Sequence, residues 1–149
     1  MTDYKRTLEY SDAHVPYHDP YALELVVKII AYVQPQRIIE NGDMGDFYEV
    51  SQYDKNPDQV RNGGLQNQIR LLSEFHAEIV RAKPADCDVH YTEGNHEYRL
   101  TRYLWRHSEL FGLKVLELPT LLELDTYGIT YHRDEIPLAN GGLIVSTGR

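Results

Sequence analysis

Three short apolar runs with strand propensity alternate with two stretches of helical spacing, and this alternation leaves few folds open to the chain. The predicted strands cover residues 6–10, 37–41 and 88–92, and the predicted helices between them cover residues 20–34 and 65–82. Strands that alternate with helices form a mostly parallel sheet, because each helix returns the chain to the same end of the sheet. The sequence therefore predicts the α/β class.

The ends of the predicted helices are marked by capping residues and prolines. Asp19 followed by Pro20 is typical of a helix N-terminus, and Pro35 and Pro84 each follow a predicted helix end. A polar, glycine-containing stretch over residues 51–64 predicts a long loop. Further along the chain, we predict a helix over 98–107 and closing strands at 128–131 and 142–146.

Each of the three predicted strands is followed at once by a short polar segment. The segments are Asp12-Ala13-His14, Gly42-Asp43-Met44-Gly45-Asp46 and Gly94-Asn95-His96-Glu97. The carboxyl ends of parallel strands meet at one edge of a sheet, so these distant segments should converge in space. Random placement of Asp and His would rarely produce this arrangement at three consecutive strand ends.

The convergent side chains have the composition of a metal site. Carboxylate, imidazole and amide ligands together suit Mn, Fe, Ni, Co or Zn, of which we favour Mn. Asp12 and His14 are two apart on an extended segment, so both can face one ion. Asp43 has two carboxylate oxygens and could bridge two ions, the second of which could also bind the Asn95 side-chain oxygen. The predicted metal ligands are Asp12, His14, Asp43 and Asn95.

His96 and Asp46 form the predicted catalytic pair. A hydroxide held between two divalent ions exists near neutral pH and can attack a phosphoryl centre in line with the leaving group. His96 could then protonate the leaving oxygen, with Asp46 orienting the imidazole. The residues therefore favour metal-dependent hydrolysis of a phosphomonoester or phosphodiester.

Together the three segments resemble the first three motifs of the calcineurin-like metallophosphoesterase superfamily, Asp-x-His, Gly-Asp-x-x-Asp and Gly-Asn-His-Asp/Glu. The match extends from Ser11 to Glu97, and the wider text is similar to small bacterial and phage-borne members. The resemblance implies a four-layer α/β/β/α sandwich that holds two metal ions. By the family pattern, the first ion is bound by Asp12, His14 and Asp43, the second by Asp43 and Asn95, and the leaving group is assisted by His96 with Asp46 behind it.

The family also has later histidine motifs, a His near a following strand end and a Gly-His-x-His segment, and neither can be placed in this chain. If residues 143–148 lead to the first of these motifs, Thr147 stands where the histidine would be. The loss of three imidazoles should nearly empty the second metal site, since even indirect changes around a metal typically cost about 10- to 100-fold in affinity or activity. We therefore expect a single metallophosphoesterase domain over residues 1–149 that is C-terminally incomplete.

Two functions remain open at this point. The first is a phosphoesterase that is active as it stands, or once a neighbouring or separately encoded chain supplies the missing histidines. The second is a catalytically impaired remnant that binds a metal ion or a partner without turnover. Missing strands would also leave an unpaired sheet edge, which favours homo-oligomers.

Composition limits the number of domains, the partners and the compartment that the chain can have. The 149 residues carry a formal charge of −8 and 42% of them are hydrophobic, which suits one globular domain with a proper core. The acidity argues against a broad basic surface for nucleic acid, although nucleic acid stays a candidate substrate. No apolar run approaches the roughly 20 residues of a membrane span, so we expect no membrane partner. The single Cys87 and an opening without signal-peptide character predict the cytoplasm.

Simpler interpretations of these motifs also stay open. Gly, Asn and Asp are common in turns, so the three polar segments could be turn residues alone. Arg99, Arg102 and Arg106 recur at helical spacing and could face a phosphate, but a solvated helix face is the commoner outcome. Surface or core positions are predicted for the histidines without partner spacing: His76, His90, His107 and His132.

Overall fold

The computed structural model describes residues 5–60, 63–137 and 144–146. The strands are β1 (Thr7–Tyr10), β2 (Arg37–Asn41), β3 (Asp88–Thr92), β4 (Ile129–His132), β5 (Glu135–Pro137) and β6 (Ile144–Ser146). The helices are α1 (Pro20–Val33), α2 (Pro57–Val60), α3 (Gly64–Ala82), α4 (Tyr98–Arg106) and α5 (Leu118–Leu121), with 3-10 turns at Tyr48–Val50 and Lys114–Leu116. The predicted mixed α/β class is confirmed.

The described strands form two sheets. The larger sheet has the order β1-β2-β3-β4, and every neighbouring pair in it is parallel. The smaller sheet is the antiparallel pair of β5 and β6. Because β1, β2 and β3 are adjacent and parallel, their carboxyl ends lie side by side at one edge of the sheet, as the sequence predicted.

Helix α1 begins and ends where its sequence predicts. The Asp19 carboxylate accepts the Tyr21 N–H at 2.9 Å, and Gln34 closes the helix in a left-handed conformation. The helix packs on α3, and Ile30 on its inner face is fully buried, whereas Val33 at its end is 36% exposed. Among the described residues, no helix is both long and apolar enough to cross a membrane.

Two segments differ from the sequence-based expectation. The stretch over 51–64, predicted as a loop, contains the short helix α2, which starts at Pro57, a residue suited to the first helical turn. Strand β5 was not predicted, because three residues carry too little periodicity to be recognised. The predicted closing strand over 142–146 corresponds to β6 at 144–146, and residues 142 and 143 lie outside the described part, as does Thr147.

The centre of β2 is buried on both faces, as expected for an interior parallel strand. Ile38, Ile39 and Glu40 have no exposed surface. The Glu40 carboxylate accepts the Tyr10 hydroxyl at 2.9 Å and lies 3.1 Å from Nε2 of His76, a fully buried residue of α3. Burial, and then the Glu40 charge, raise the pKa of Tyr10 well above its ordinary value. Helix α3 therefore covers the sheet over β1 and β2.

The opposite edge of the sheet, where the strands begin, is held by one carboxylate. Asp88 accepts hydrogen bonds from Lys5 at 2.8 Å and from Arg37 Nε at 2.9 Å, and it lies 3.0 Å from His90 Nε2. Burial raises the pKa of Asp88, but the hydrogen bonds from Lys5, His90 and Arg37 outweigh it and hold the pKa well below its usual range. The sequence missed this role of His90, which also lies 2.9 Å from His132.

We expect Asp88→Asn to lower the free energy of unfolding at pH 7 by about 1 kcal/mol, since exposed and half-exposed ion pairs contribute modestly. A carboxyl whose pKa is lower in the folded state stabilises the fold above the unfolded pKa of about 3.9, and this contribution is lost as the pH falls through the folded pKa. The difference between wild type and variant should therefore shrink below about pH 4. Urea unfolding at pH 7 and pH 3 measures it, with exposed Asp86→Asn as the control; an equal loss at both pH values contradicts the ionic role.

Candidate metal centre

The polar segments after β1 and β2 remain paired beyond the sheet. The Asp12 N–H donates to the Gly42 carbonyl at 3.2 Å, and the His14 N–H donates to the Asp43 carbonyl at 3.0 Å. An isolated parallel bridge between Val15 and Gly45 continues this pairing. The backbone thereby brings the Asp12–His14 segment directly beside Asp43.

The first candidate group consists of Asp12, His14 and Asp43, each of which places one ligand atom within 4.8 Å of the others. His14 Nε2 lies 3.8 Å from Asp12 Oδ1. The carboxylates of Asp12 and Asp43, with ligand atoms within 4.8 Å of each other, repel each other, and a cation bound between them would be attracted to both. The donor set of two oxygens and one imidazole nitrogen therefore fits a divalent ion of intermediate character.

The second candidate group consists of His14, Asp46 and His96, whose ligand atoms also lie within 4.8 Å of one another. Asp46 Oδ1 lies 3.1 Å from His96 Nδ1 and 3.4 Å from His14 Nδ1, and the two imidazole rings meet edge to face at 4.3 Å. His14 belongs to both groups. The predicted role of Asp43 as a bridge between two ions stays a prediction. The predicted catalytic pair forms part of this second group.

Three residues of the centre have a strained backbone. Asp12, His14 and Asp43 have φ values of 59°, 51° and 54°, in the left-handed region that residues other than glycine seldom occupy. Such conformations cost roughly 1–3 kcal/mol each and persist where the surroundings hold them. Several such conformations at one edge of a sheet are typical of a functional site.

Glu97 is the residue that holds the centre together, a role that the motif pattern did not predict. One carboxylate oxygen accepts the N–H groups of Asp43 and Gly94 at 2.9 and 3.0 Å; the other accepts the Gly45 N–H and the Tyr91 hydroxyl, both at 2.9 Å. These four donors use the acceptor positions of an ionised carboxylate. The only signal in the sequence was its place at the end of the third motif.

The environment of Glu97 is buried and tight. Burial raises the pKa of Glu97, while the hydrogen bonds from Gly45 and Tyr91 oppose the rise. Gly94 must stay a glycine, because a Cβ there would collide with the backbone nitrogen and Oδ1 of Asp43. Asp43 Oδ1 in turn accepts the His96 N–H at 2.8 Å. The loops after β2 and β3 are thus locked to each other.

The Arg99 contact favours one tautomer of His96. Its Nη2 lies 3.0 Å from His96 Nε2, and its Nη1 donates to the Asp46 carbonyl at 2.8 Å. A guanidinium can only donate, so Nε2 must accept and the proton of a neutral imidazole sits on Nδ1, facing Asp46. In this arrangement His96 has no proton on Nε2.

Asn95, the remaining predicted ligand, is exposed and lines a neighbouring cavity of about 300 Å³. The same cavity is lined by Arg99, Arg102 and Arg106; Arg102 and Arg106 are exposed, as expected for a solvated helix face, whereas Arg99 is half-buried. Of the six predicted site residues, five belong to the two ligand groups: Asp12, His14, Asp43, Asp46 and His96. The sixth, Asn95, lies on the wall of the neighbouring cavity.

The chain is distantly similar to two phage proteins. No family model matches the chain. It is 26% identical over 133 residues to the Gene 54 protein of Mycobacterium phage D29, covering 85% of this chain and 50% of that protein. It is 25% identical over 127 residues to the Gene 54 protein of Mycobacterium phage L5, covering 84% of this chain and 49% of that one. The chain therefore spans about half the length of both relatives.

Proposed function

We propose that this chain carries the metal centre of a phosphoesterase of the calcineurin-like type, which hydrolyses phosphomonoester or phosphodiester bonds. The observation that carries the proposal is the pair of ligand groups that share His14 at the carboxyl edge of a parallel sheet. Turn residues alone would not explain why three carboxylates and two imidazoles converge there with a strained backbone.

The donor set supports a divalent ion, with Mn favoured and Fe, Ni, Zn or Co as alternatives. Asp12, His14 and Asp43 would hold the first ion, and Asp43 and Asn95 would contribute to a second. When bound, divalent ions neutralise phosphoryl oxygens and activate water for attack at phosphorus. The chain itself supplies the rigid framework, because Glu97 fixes the backbone of Asp43 and Gly94 relative to each other.

His96 would act on the leaving group from a position set by Asp46. Its Nδ1 lies 3.1 Å from Asp46 Oδ1, which orients the ring. To donate a proton from Nε2, His96 must first lose its contact with Arg99, since both groups cannot present a hydrogen there. A negatively charged substrate that attracts the guanidinium would free Nε2.

We extend the proposal to the four-layer sandwich of this superfamily. The parallel sheet with α3 packed over it, and α1 against α3, would correspond to one half, and β5 and β6 would start the second sheet. The later histidines would then come from a further segment, a second copy or a complementing chain. The single free Cys87, which is buried, is in keeping with a cytoplasmic protein.

A second candidate function is a metal- or partner-binding module without turnover. The observation that favours it is the Arg99 contact, which leaves His96 unable to donate from Nε2. Such a remnant would bind Mn²⁺ through the first ligand group and hydrolyse neither class of ester.

The test of the proposed function is Mn²⁺-dependent hydrolysis of an aryl phosphodiester and an aryl phosphomonoester by the purified chain and by His96→Ala. We expect the variant to keep Mn²⁺ binding and to lose hydrolysis by about 100-fold or more, the usual contribution of a general acid. His107→Ala, which removes an imidazole outside both groups, is the control. Unchanged hydrolysis in His96→Ala removes this residue from the mechanism, and Mn²⁺ binding by the wild type without hydrolysis supports the module.

A further inference from the structure

Beside the metal centre, one cavity concentrates positive charge in an otherwise acidic chain. We call it the arginine cavity; its wall includes Gln52, Tyr53, Asn95, Arg99, Arg102 and Arg106. Its volume of about 300 Å³ is at the lower end of the range for small-ligand sites. A chain with a formal charge of −8 gives no general reason for three guanidinium groups to meet in one cavity.

Helix α4 brings the arginines together. Arg99, Arg102 and Arg106 are three and four residues apart, so they lie on one face of the helix. Arg102 donates to the neutral Gln52 amide oxygen at 3.0 Å, and within residues 5–60, 63–137 and 144–146 no carboxylate lies within ion-pair distance of Arg102 or Arg106. Only Arg99 is near an acid, with Nη1 3.5 Å from Asp46 Oδ2.

A fourth cation adds to this charge. The Lys55 ammonium donates to the carbonyls of Ser51 and Tyr53, which line the cavity. Burial lowers the pKa of Lys55, and the charges of Arg99 and Arg106 lower it further, while Glu49 and Asp54 partly oppose them. Positive charge at this cavity is therefore only partly compensated by the surrounding acids, and an anion would relieve it.

The arginine cavity adjoins the metal centre. Arg99 contacts His96 Nε2 on one side and lines the cavity on the other, and Asn95 immediately precedes His96 in the chain. Tyr53 and Tyr98 also line it, and Tyr53 is 64% exposed, so an aromatic face is open to a stacked base. Arginines suited to a phosphate and the exposed Tyr53 suited to a base together point to a nucleotide.

We propose that the arginine cavity binds a second phosphate of a nucleotide substrate, next to the phosphate on which the metal centre acts, an inference that rests on the proposed phosphoesterase function. Arg102 and Arg106 hold this second phosphate. Arg99 lies between the two sites, so a phosphate that draws it away from His96 also frees Nε2.

Two matched chromogenic esters test the inference, thymidine 5′-(p-nitrophenyl phosphate) and the same compound with a 3′-phosphate. They share one leaving group and differ by one phosphate. We expect the 3′-phosphate to lower KM by about tenfold, as one or two charge-assisted hydrogen bonds would do. The double variant Arg102→Gln/Arg106→Gln should erase this advantage, and Arg81→Gln, an exposed arginine of α3, should preserve it.

Binding without turnover separates this inference from the proposed function. Calorimetry in EDTA measures binding of thymidine 3′,5′-bisphosphate, and a thymidine trinucleotide as competitor distinguishes nucleic-acid ends from free nucleotides. If binding depends on the arginines and no hydrolysis occurs, the phosphate site in the arginine cavity is supported and the phosphoesterase function is contradicted. If Mn²⁺-dependent hydrolysis occurs with equal KM for both esters, the phosphate site in the arginine cavity is contradicted and the phosphoesterase function is supported. The phosphate site is also contradicted if Arg102→Gln/Arg106→Gln binds thymidine 3′,5′-bisphosphate as tightly as the wild type does.

Discussion

Asp43→Ala should abolish Mn²⁺-dependent hydrolysis and weaken Mn²⁺ binding by at least about 100-fold, more than changes around a metal ligand usually cost. Asp43 provides a carboxylate of the first ligand group. It also accepts the His96 N–H at 2.8 Å, so its removal releases the backbone of the predicted acid. No other predicted ligand combines these two contacts, which is why we expect the largest loss here.

Asp43→Asn separates the two contributions. Its amide oxygen can still accept the His96 N–H, while the negative charge that attracts the ion is gone. We expect this variant to remain folded, with metal affinity and hydrolysis reduced almost as far as in Asp43→Ala. Asp125→Asn, which neutralises an exposed acid before β4, controls for net charge. Calorimetry with Mn²⁺ and the aryl ester assay provide the measurements; hydrolysis by Asp43→Asn within twofold of wild type would exclude Asp43 as a ligand.

Glu97→Gln should lower the free energy of unfolding by about 3 kcal/mol, because an amide group replaces one acceptor oxygen of a buried carboxylate. Whichever way the amide turns, its NH₂ group faces at least one backbone N–H that Glu97 now binds. A buried donor without an acceptor costs the desolvation energy of that group. The loops that carry Asp43 and Gly94 would separate, so Mn²⁺ affinity should fall as well.

Urea unfolding of Glu97→Gln, read by circular dichroism, measures the first effect. Tyr91→Phe is the milder variant; it removes one of the four donors and should cost about 1 kcal/mol. Glu109→Gln, at an exposed position, should change stability by less than about 0.5 kcal/mol. If Glu97→Gln is as stable as Glu109→Gln, the carboxylate does not hold the loops in the way described.

The elements that could be predicted are those with strong local signals. Asp19 and Pro20 start α1, Pro84 follows the end of α3, and the apolar run at 37–41 forms a strand buried on both faces. Strand β5 and helix α2 are too short for such signals. The proximity of Asp12, His14 and Asp43 was also predictable, because parallel strands bring their carboxyl ends together.

The roles of Glu97 and of the arginines were not predictable, because they depend on contacts between distant parts of the chain. Nothing local distinguishes Glu97 from an exposed acid; it becomes the central acceptor only because β2 and β3 end at the same edge. Spacing placed Arg99, Arg102 and Arg106 on one helix face, but only the tertiary structure shows that this face borders a cavity next to the metal centre.

Local chemistry in the sequence thus determined the strands, the main helices and the identity of the candidate ligands, since propensity, capping and residue type act over a few neighbours. Packing in three dimensions decided that His14 is shared between two ligand groups, that Arg99 contacts His96, and that the arginines border a cavity. These features are set by distances between side chains from different strands and helices, which no short stretch of sequence encodes.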